Sequence, residues 1–237
     1  MLVQALSDIG LKRKNNQDSF FYNVERGIYV IADGMGGYAG GEVASSIAVN
    51  VFRNGFSGLD GDNYREVLDG LSQKANQAIY ERALAEKGLW GMGTTLIALA
   101  MKGNDYYLSY VGDSRAYLIG QREIIRITDD HNVSGELMRE GHLTEREAMN
   151  HPGKNMLTRV LGRHLDATAD FRTGTLEQGD HILLCSDGLT GLVESEEIRR
   201  IVNESKDLAA ALREMVDLAL ERGGDDNITA ILMKNCE

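Results

Sequence analysis

The spacing of apolar residues changes along the chain, and this change limits the folds available to it. Short runs rich in strand-forming residues predict β-strands, whereas apolar residues that recur every third or fourth position predict helices. The predicted strands are 2–8, 19–23, 27–32, 94–101, 106–111, 115–119, 123–127, 170–176, 181–186 and 228–233. The predicted helices are 41–53, 64–87, 195–203 and 207–222, in two separate pairs.

Most of these strands follow one another directly, and the helix pairs interrupt them only twice. Gly103-Asn104 and Gly120-Gln121 are suited to hairpin turns. Alternating strands and helices, which would build a parallel sheet, are absent from this order. We therefore expect an α+β architecture of antiparallel sheets covered by helices. Since no linker or low-complexity tract divides the sequence, we expect residues 1–237 to form one domain.

Charge and cysteine content exclude several classes of protein. Lys and Arg number 25 against 36 Asp and Glu, a formal charge of −11 that repels nucleic acid and anionic membrane surfaces. The longest apolar run, 96–101, is too short to span a bilayer, and no signal peptide is evident. Two cysteines, Cys185 and Cys236, do not indicate a disulfide framework or a zinc site. We expect a cytoplasmic protein.

Aspartates stand where apolar strands end or begin. Asp33-Gly34, Gly112-Asp113 and Asp187-Gly188 each follow an apolar strand, and Asp226 directly precedes the last one. An Asp-Gly pair is also a common turn. Asp60-Gly61 in a polar stretch and Asp69-Gly70 within a helical pattern show that such pairs occur here without a preceding strand.

Strand ends can hold several carboxylates close together, where they repel one another unless cations neutralise them. Oxygen ligands select hard cations such as Mg²⁺ or Mn²⁺, and the five histidines show no metal-ligand spacing. Two adjacent metal ions can activate a water and clamp the oxygens of a phosphoryl displacement. Arg13 is a candidate phosphate holder, shortly before the acidic Asp18. Alternatively, Arg13 is a solvated surface cation like its neighbours Lys12 and Lys14.

Other chemistries have weaker support in the sequence. Gly34-x-Gly36-x-x-Ala39 fits a dinucleotide fingerprint, but the polar stretch 52–63 follows where a second apolar strand is needed. A nucleotide-binding oxidoreductase therefore stays open as a minor alternative. In the metal-site interpretation, Gly34 lets its carbonyl approach an ion held by Asp33. Cys185 has Gly191 where a cysteine phosphatase needs arginine, so we expect it to pack in a strand.

Six short motifs occur in order between Arg13 and Thr229. They are Arg13-x-x-Asn16-Gln17-Asp18, Ala32-Asp33-Gly34-Met35-Gly36-Gly37, Gly93-Thr94-Thr95, Val111-Gly112-Asp113-Ser114-Arg115, Ser186-Asp187-Gly188-Leu189 and Asp226-Asn227-Ile228-Thr229. Together they resemble the metal-dependent PPM family, the type 2C serine/threonine protein phosphatases, in its compact bacterial form.

The resemblance implies a four-layer α-β-β-α sandwich, with two antiparallel sheets between helix pairs. It implies an enzyme of signal transduction that hydrolyses phosphoserine and phosphothreonine on proteins, without a covalent intermediate. The partners are then phosphoproteins supplied by a serine/threonine kinase, and we expect a monomer. A catalytically inactive member of the family that binds phosphoproteins is the alternative.

The resemblance also implies a dinuclear Mn²⁺ or Mg²⁺ centre. By similarity, Asp33 bridges the two ions, Asp187 and Asp226 bind one of them, and the Gly34 carbonyl binds the other. Asp18 then holds waters at the centre.

Further roles follow from the same resemblance. Arg13 grips the phosphate, and Asp113 joins Asp187 in holding a third, weaker ion. The irregular segment 132–163 resembles the family's flap, which lies beside the site and influences substrate choice. Met35 stands where many animal and plant relatives have a histidine credited as the general acid. A water at the metal centre, or another group such as His131, must then supply the proton.

Overall fold

The computed structural model describes residues 1–57 and 63–236, so the Asp60-Gly61 pair lies outside the described residues. The strands are β1 (Leu2–Asp8), β2 (Asp18–Asn23), β3 (Ile28–Met35), β4 (Gly93–Thr94), β5 (Leu96–Lys102), β6 (Asp105–Val111), β7 (Arg115–Ile119), β8 (Ile124–Arg126), β9 (Asp170–Thr175), β10 (His181–Cys185) and β11 (Ile228–Lys234). The helices are α1 (Gly37–Gly55), α2 (Tyr64–Ala85), α3 (Val133–Arg139), α4 (Glu145–Met149), α5 (Asp187–Thr190), α6 (Ser195–Glu204) and α7 (Leu208–Glu221). A 3₁₀ turn covers Lys87–Leu89.

The strands form two sheets in which neighbouring strands are antiparallel. The first sheet has the order β1-β11-β10-β7-β8, and the second has the order β2-β3-β5-β6-β9, with β4 paired to β3. A dinucleotide-binding fold requires β3 to be followed by a crossover to a parallel strand. Here β3 pairs with antiparallel neighbours, so the nucleotide-binding alternative is wrong.

Three apolar layers hold the sheets and helices together. Side chains from both sheets, such as Ile31 and Ile231, are fully buried between them. Helices α1 and α2 cover the outer face of the second sheet, where Phe52 is buried, and α6 and α7 cover the first, where Met215 is buried. This arrangement confirms the four-layer α-β-β-α sandwich. Among the described helices, none is both long enough and apolar enough to cross a bilayer.

Element boundaries differ from the sequence prediction around the aspartates. Strand β3 continues to Met35 instead of ending at Ala32, because β4 pairs with its last two residues. Helix α1 begins at Gly37, four residues earlier than predicted, within a glycine-rich stretch of low helix propensity. Asp187 is the first residue of the one-turn helix α5, which the sequence prediction did not contain.

The junction between β3 and α1 brings backbone segments unusually close together. A Cβ atom on Gly34 would overlap the carbonyl group of Gly41 and lie 2.7 Å from the carbonyl oxygen of Gln17. The Gly34 amide also donates to that Gln17 oxygen at 3.2 Å. Glycine at position 34 is therefore required by close backbone approach.

Replacing Gly34 by alanine is expected to lower the free energy of unfolding by about 1–3 kcal/mol, because the added methyl group must displace backbone. Urea unfolding followed by circular dichroism measures this change. Gly70→Ala is the matched control, since a Cβ there meets open space on α2 and alanine favours helix by up to about 1 kcal/mol. Equal stabilities for the Gly34 variant and the wild type would contradict the packing argument.

Candidate metal centre

A cleft of about 540 Å³ opens at the end of the sandwich where β3, β6 and β10 terminate and β11 begins. Its lining includes the aspartates Asp33, Asp113, Asp187 and Asp226, the cations Lys12, Arg13 and Lys14, and the neutral residues Gly34, Met35, Asn155 and Leu157. Segments far apart in sequence therefore meet at one place.

Strand register explains why these segments converge. Asp18 at the start of β2 is the direct partner of Asp33 on β3. Cys185 at the end of β10 pairs with Arg115 on β7 and with Ala230 on β11. Residues just beyond those pairs, Asp187 among them, consequently lie at the same end of the sandwich. All the acidic residues predicted for the site are brought together there.

Burial and mutual repulsion make these carboxylates costly to ionise. The pKa of Asp33 is raised well above its usual value, first by burial and then by repulsion from the other four aspartates. Burial likewise raises the pKa of Asp113 well above its usual value, with the Asp187 charge adding to it. The pKa of Asp187 is also raised by burial, and that of Asp18 is raised by burial to about 7. Bound cations would remove this electrostatic penalty.

The donor set fits hard divalent cations. The buried Oδ1 atoms of Asp18 and Asp187 have no hydrogen-bond partner, while the Asp18 Oδ2 accepts from the Ser186 hydroxyl at 2.8 Å. Within residues 1–57 and 63–236, no group of three or more acidic, histidine or cysteine side chains is arranged to hold a metal ion. Magnesium-type ions commonly use one or two carboxylates and complete their coordination with water. Open coordination of that kind suits this cluster.

Arg13 lies in the cleft beside the acidic cluster. Its Nη2 donates to the Asp226 Oδ2 at 2.5 Å, and the adjacent Lys12 forms an ion pair with Asp225. The backbone amide of Leu11 donates to the Gly224 carbonyl at 2.8 Å. This hydrogen bond joins the loop between β1 and β2 to the loop between α7 and β11. The Arg13 side chain is half-exposed and lines the cleft together with Lys12 and Lys14, and its grip on phosphate stays a prediction.

Several polar residues orient the aspartates, and the sequence motifs contained them without assigning them a role. The Asn227 side chain accepts from the Gln17 amide at 2.8 Å and donates to the Ile9 carbonyl at 2.8 Å. The Thr95 hydroxyl accepts from the Asp33 amide at 2.9 Å and is 2.8 Å from the Ser114 hydroxyl. In the sequence, they are marked by membership of those motifs and by polarity next to an apolar strand.

His131 does not line the cleft, so the suggestion that it supplies a proton there is wrong. Its side chain is fully buried, its Nδ1 accepts from the Gly112 amide at 3.1 Å, and its Nε2 is 3.3 Å from the Asp170 carboxylate. Burial, with help from the charge of Arg159, lowers the pKa of His131 to about 4. The ring is therefore neutral at pH 7 and has its nitrogens engaged elsewhere.

The segment 132–163 contributes to one wall of the cleft. It contains α3 and α4, and Thr144 and Glu147 form a capping box at the start of α4. Asn155 and Leu157 from this segment line the cleft, and Leu157 forms an isolated β-bridge with Asn132. We call 132–163 the flap segment.

A four-layer α-β-β-α sandwich with an oxygen-rich acidic cluster and an arginine at one end defines a metal-dependent phosphatase. The family model for protein phosphatase 2C matches residues 12–233. The chain is 38% identical to the protein phosphatase PhpP of Streptococcus pneumoniae in an alignment 239 residues long, gaps included. The alignment covers 98% of this chain and 97% of that protein.

Solved structures agree with the sequence match. The serine/threonine phosphatase PstP/Ppp of Mycobacterium tuberculosis superimposes with a TM-score of 0.93 at 35% identity, over 100% of this chain and 99% of that one. The catalytic domain of the serine/threonine protein phosphatase PstP, solved in complex with two manganese ions, gives a TM-score of 0.90 at 34% identity. That match covers 100% of this chain and 98% of the PstP chain. The chain belongs to the protein phosphatase 2C family.

In the presence of a chelator at pH 8, Asp33→Asn is expected to raise the free energy of unfolding. The change removes a buried carboxylate that four neighbours repel. Added Mn²⁺ should raise the melting temperature of the wild type and raise that of the variant much less.

Thermal unfolding with and without Mn²⁺ measures both effects. Asp217→Asn is the control, since it makes the same charge change at an exposed position of α7. A chelated Asp33→Asn protein less stable than the wild type would refute the repulsion argument.

Proposed function

We propose that this chain is a metal-dependent protein phosphatase that hydrolyses phosphoserine and phosphothreonine in proteins. The observation that carries the proposal is the convergence of buried and partly buried aspartates, which repel Asp33, beside Arg13 in an open cleft. Membership of the protein phosphatase 2C family supports it, as do relatives that are named serine/threonine phosphatases.

Two Mn²⁺ or Mg²⁺ ions are the cofactors, as the manganese complex of the PstP catalytic domain supports. When bound, they would activate a water and neutralise charge on the phosphoryl group. Asp33 would bridge them, with Asp187 and Asp226 on one ion and the Gly34 carbonyl on the other.

The remaining acidic residues have supporting roles in this proposal. Asp18, opposite Asp33 in the β2–β3 pair, would hold waters at the centre. Asp113 with Asp187 would hold a third, weaker ion, in agreement with the electrostatic coupling between their carboxylates.

Arg13 would bind and orient the phosphate. Its guanidinium can donate two hydrogen bonds to phosphoryl oxygens, and the Arg13–Asp226 ion pair holds it at the acidic cluster. One water is added across the bond between phosphorus and the serine or threonine oxygen. The water oxygen stays on phosphorus, and a proton ends on the leaving oxygen. Met35 has no proton to donate and His131 lies outside the cleft, so neither side chain is assigned as the acid.

The alternative function is that of a catalytically inactive protein that binds phosphoproteins. All the aspartates that the metal centre requires are present and converge, which favours an active enzyme. Relatives over nearly the whole chain are themselves named phosphatases.

We further propose that the substrates are phosphoproteins produced by a serine/threonine kinase, and that residues 1–237 form one catalytic domain. The family match over residues 12–233 supports the single domain. A monomer suffices, because one chain supplies the cleft described above. The charge of −11 disfavours nucleic acid and anionic membranes as partners, and the free thiols of Cys185 and Cys236 suit the reducing cytoplasm.

Phosphothreonine-peptide hydrolysis with Mn²⁺ tests the function. The wild type is expected to release phosphate from phosphoserine and phosphothreonine peptides, and to lose this activity with a chelator. Asp33→Ala should lower kcat by about a thousandfold or more, because it removes the carboxylate that would hold both ions. Arg13→Ala should lower kcat/KM by about tenfold or more, because a charge-assisted bidentate contact is lost.

Asp217→Asn should leave the kinetics unchanged. Metal-independent turnover would rule out the proposed chemistry. Phosphopeptide binding without hydrolysis, together with no calorimetric Mn²⁺ binding near neutral pH, would support the inactive alternative.

A further inference from the structure

His131, which directly precedes the flap segment, and Asn132, its first residue, hold two consecutive residues of the β6–β7 turn. The His131 amide donates to the Gly112 carbonyl at 3.0 Å, and the Gly112 amide donates to the His131 Nδ1 at 3.1 Å. The Asn132 side-chain amide donates to the Asp113 Oδ2 at 3.2 Å.

The backbone of Gly112 is tightly constrained, and its buried amide needs a hydrogen-bond partner. Its φ is +103°, and a Cβ atom there would lie 2.5 Å from the Thr95 side chain. The turn is buried, so an unpaired Gly112 amide would have no water to bond. Asp113, the next residue, lines the cleft. The Gly112 amide belongs to the Val111–Gly112 peptide and the Gly112 carbonyl to the Gly112–Asp113 peptide, and His131 bonds to both. The orientation of these two peptides sets the direction in which Asp113 leaves the turn.

The far side of the His131 ring is fixed independently. Its Nε2 is 3.3 Å from the Asp170 carboxylate on β9, and Arg159 of the flap segment donates to that carboxylate at 2.7 Å. Tyr110 stacks on the ring with centroids 5.2 Å apart. Because Nδ1 accepts a hydrogen bond, a neutral ring must carry its proton on Nε2 and donate it to Asp170.

We propose that His131 is a positioning residue for the phosphatase reaction, whose Nδ1 fixes the Val111–Gly112 peptide and thereby aims Asp113 into the cleft. The inference rests on the proposed function only in taking Asp113 as part of the working site. The contact with Asp170 holds the ring in place, while the contact with Gly112 transmits the effect.

Two substitutions separate these contacts. His131→Asn places an amide oxygen near the position of Nδ1, so it can still accept from Gly112, although it cannot reach Asp170. His131→Gln places an amide nitrogen near the position of Nε2, so it can still donate to Asp170 while the Gly112 amide loses its acceptor. Peptide hydrolysis with Mn²⁺ compares the two variants, with melting temperature measured alongside.

His131→Asn is expected to keep kcat/KM within about threefold of the wild type, whereas His131→Gln should lose about tenfold or more. Calorimetric Mn²⁺ titration should show binding weakened only in the glutamine variant. Amide hydrogen exchange over residues 111–114 should be accelerated in the same variant alone. His181→Gln, at a buried histidine at the far end of β10, controls for burying glutamine and should leave kcat/KM unchanged.

Equal losses in the asparagine and glutamine variants, or a larger loss in the asparagine variant, would overturn the proposal. If either variant fails to fold, nitrogen-15 NMR of the wild type decides. A neutral His131 protonated on Nε2, with a slowly exchanging Gly112 amide, is expected, and a ring protonated on Nδ1 would refute the assignment. A wild type that hydrolyses no phosphopeptide with Mn²⁺ would contradict the proposed function instead. In that case the NMR result would still test whether the His131 Nδ1 accepts from the Gly112 amide.

Discussion

Repulsion among buried carboxylates is the constraint on which this molecule depends. Asp33 faces four other aspartates in an interior that penalises charge, so the cluster opposes folding wherever cations do not neutralise it. The surrounding sandwich holds the cluster together through backbone pairing and apolar burial. Asp18 and Asp33 are fixed opposite each other by the β2–β3 ladder, and neither can move away without breaking it. The same residues that cost stability are those proposed to hold the metal ions.

Each of the two sheets positions part of the acidic cluster. The second sheet supplies Asp18 and Asp33, while β10 and β11 of the first sheet lead to Asp187 and Asp226. Apolar side chains packed between the sheets fix the two halves of the centre relative to each other. Side-chain contacts such as those of Asn227 and Thr95 then set the finer orientation.

Local patterns predicted the architecture well and its junctions poorly. The short apolar run of β1 and the helical spacing of α6 and α7 need only neighbouring residues to be recognised, and these elements form where expected. The end of β3 and the start of α1 depend on pairing with β4 and on close backbone contact at Gly34. The β3–β4 pairing joins residues about sixty positions apart, and the contacts of Gly34 with Gln17 and Gly41 depend on how the chain turns, so local periodicity cannot indicate either.

The sequence by itself determined which chemistry is possible here, because aspartates at strand ends and a nearby arginine are a matter of residue type and order. Only the tertiary structure decided which groups take part. It brought Arg13 into the cleft and withdrew His131 into a buried network with Gly112 and Asp170. The physical reason is that a side chain's role depends on its partners and its access to water, and strand register and packing across the whole chain set both.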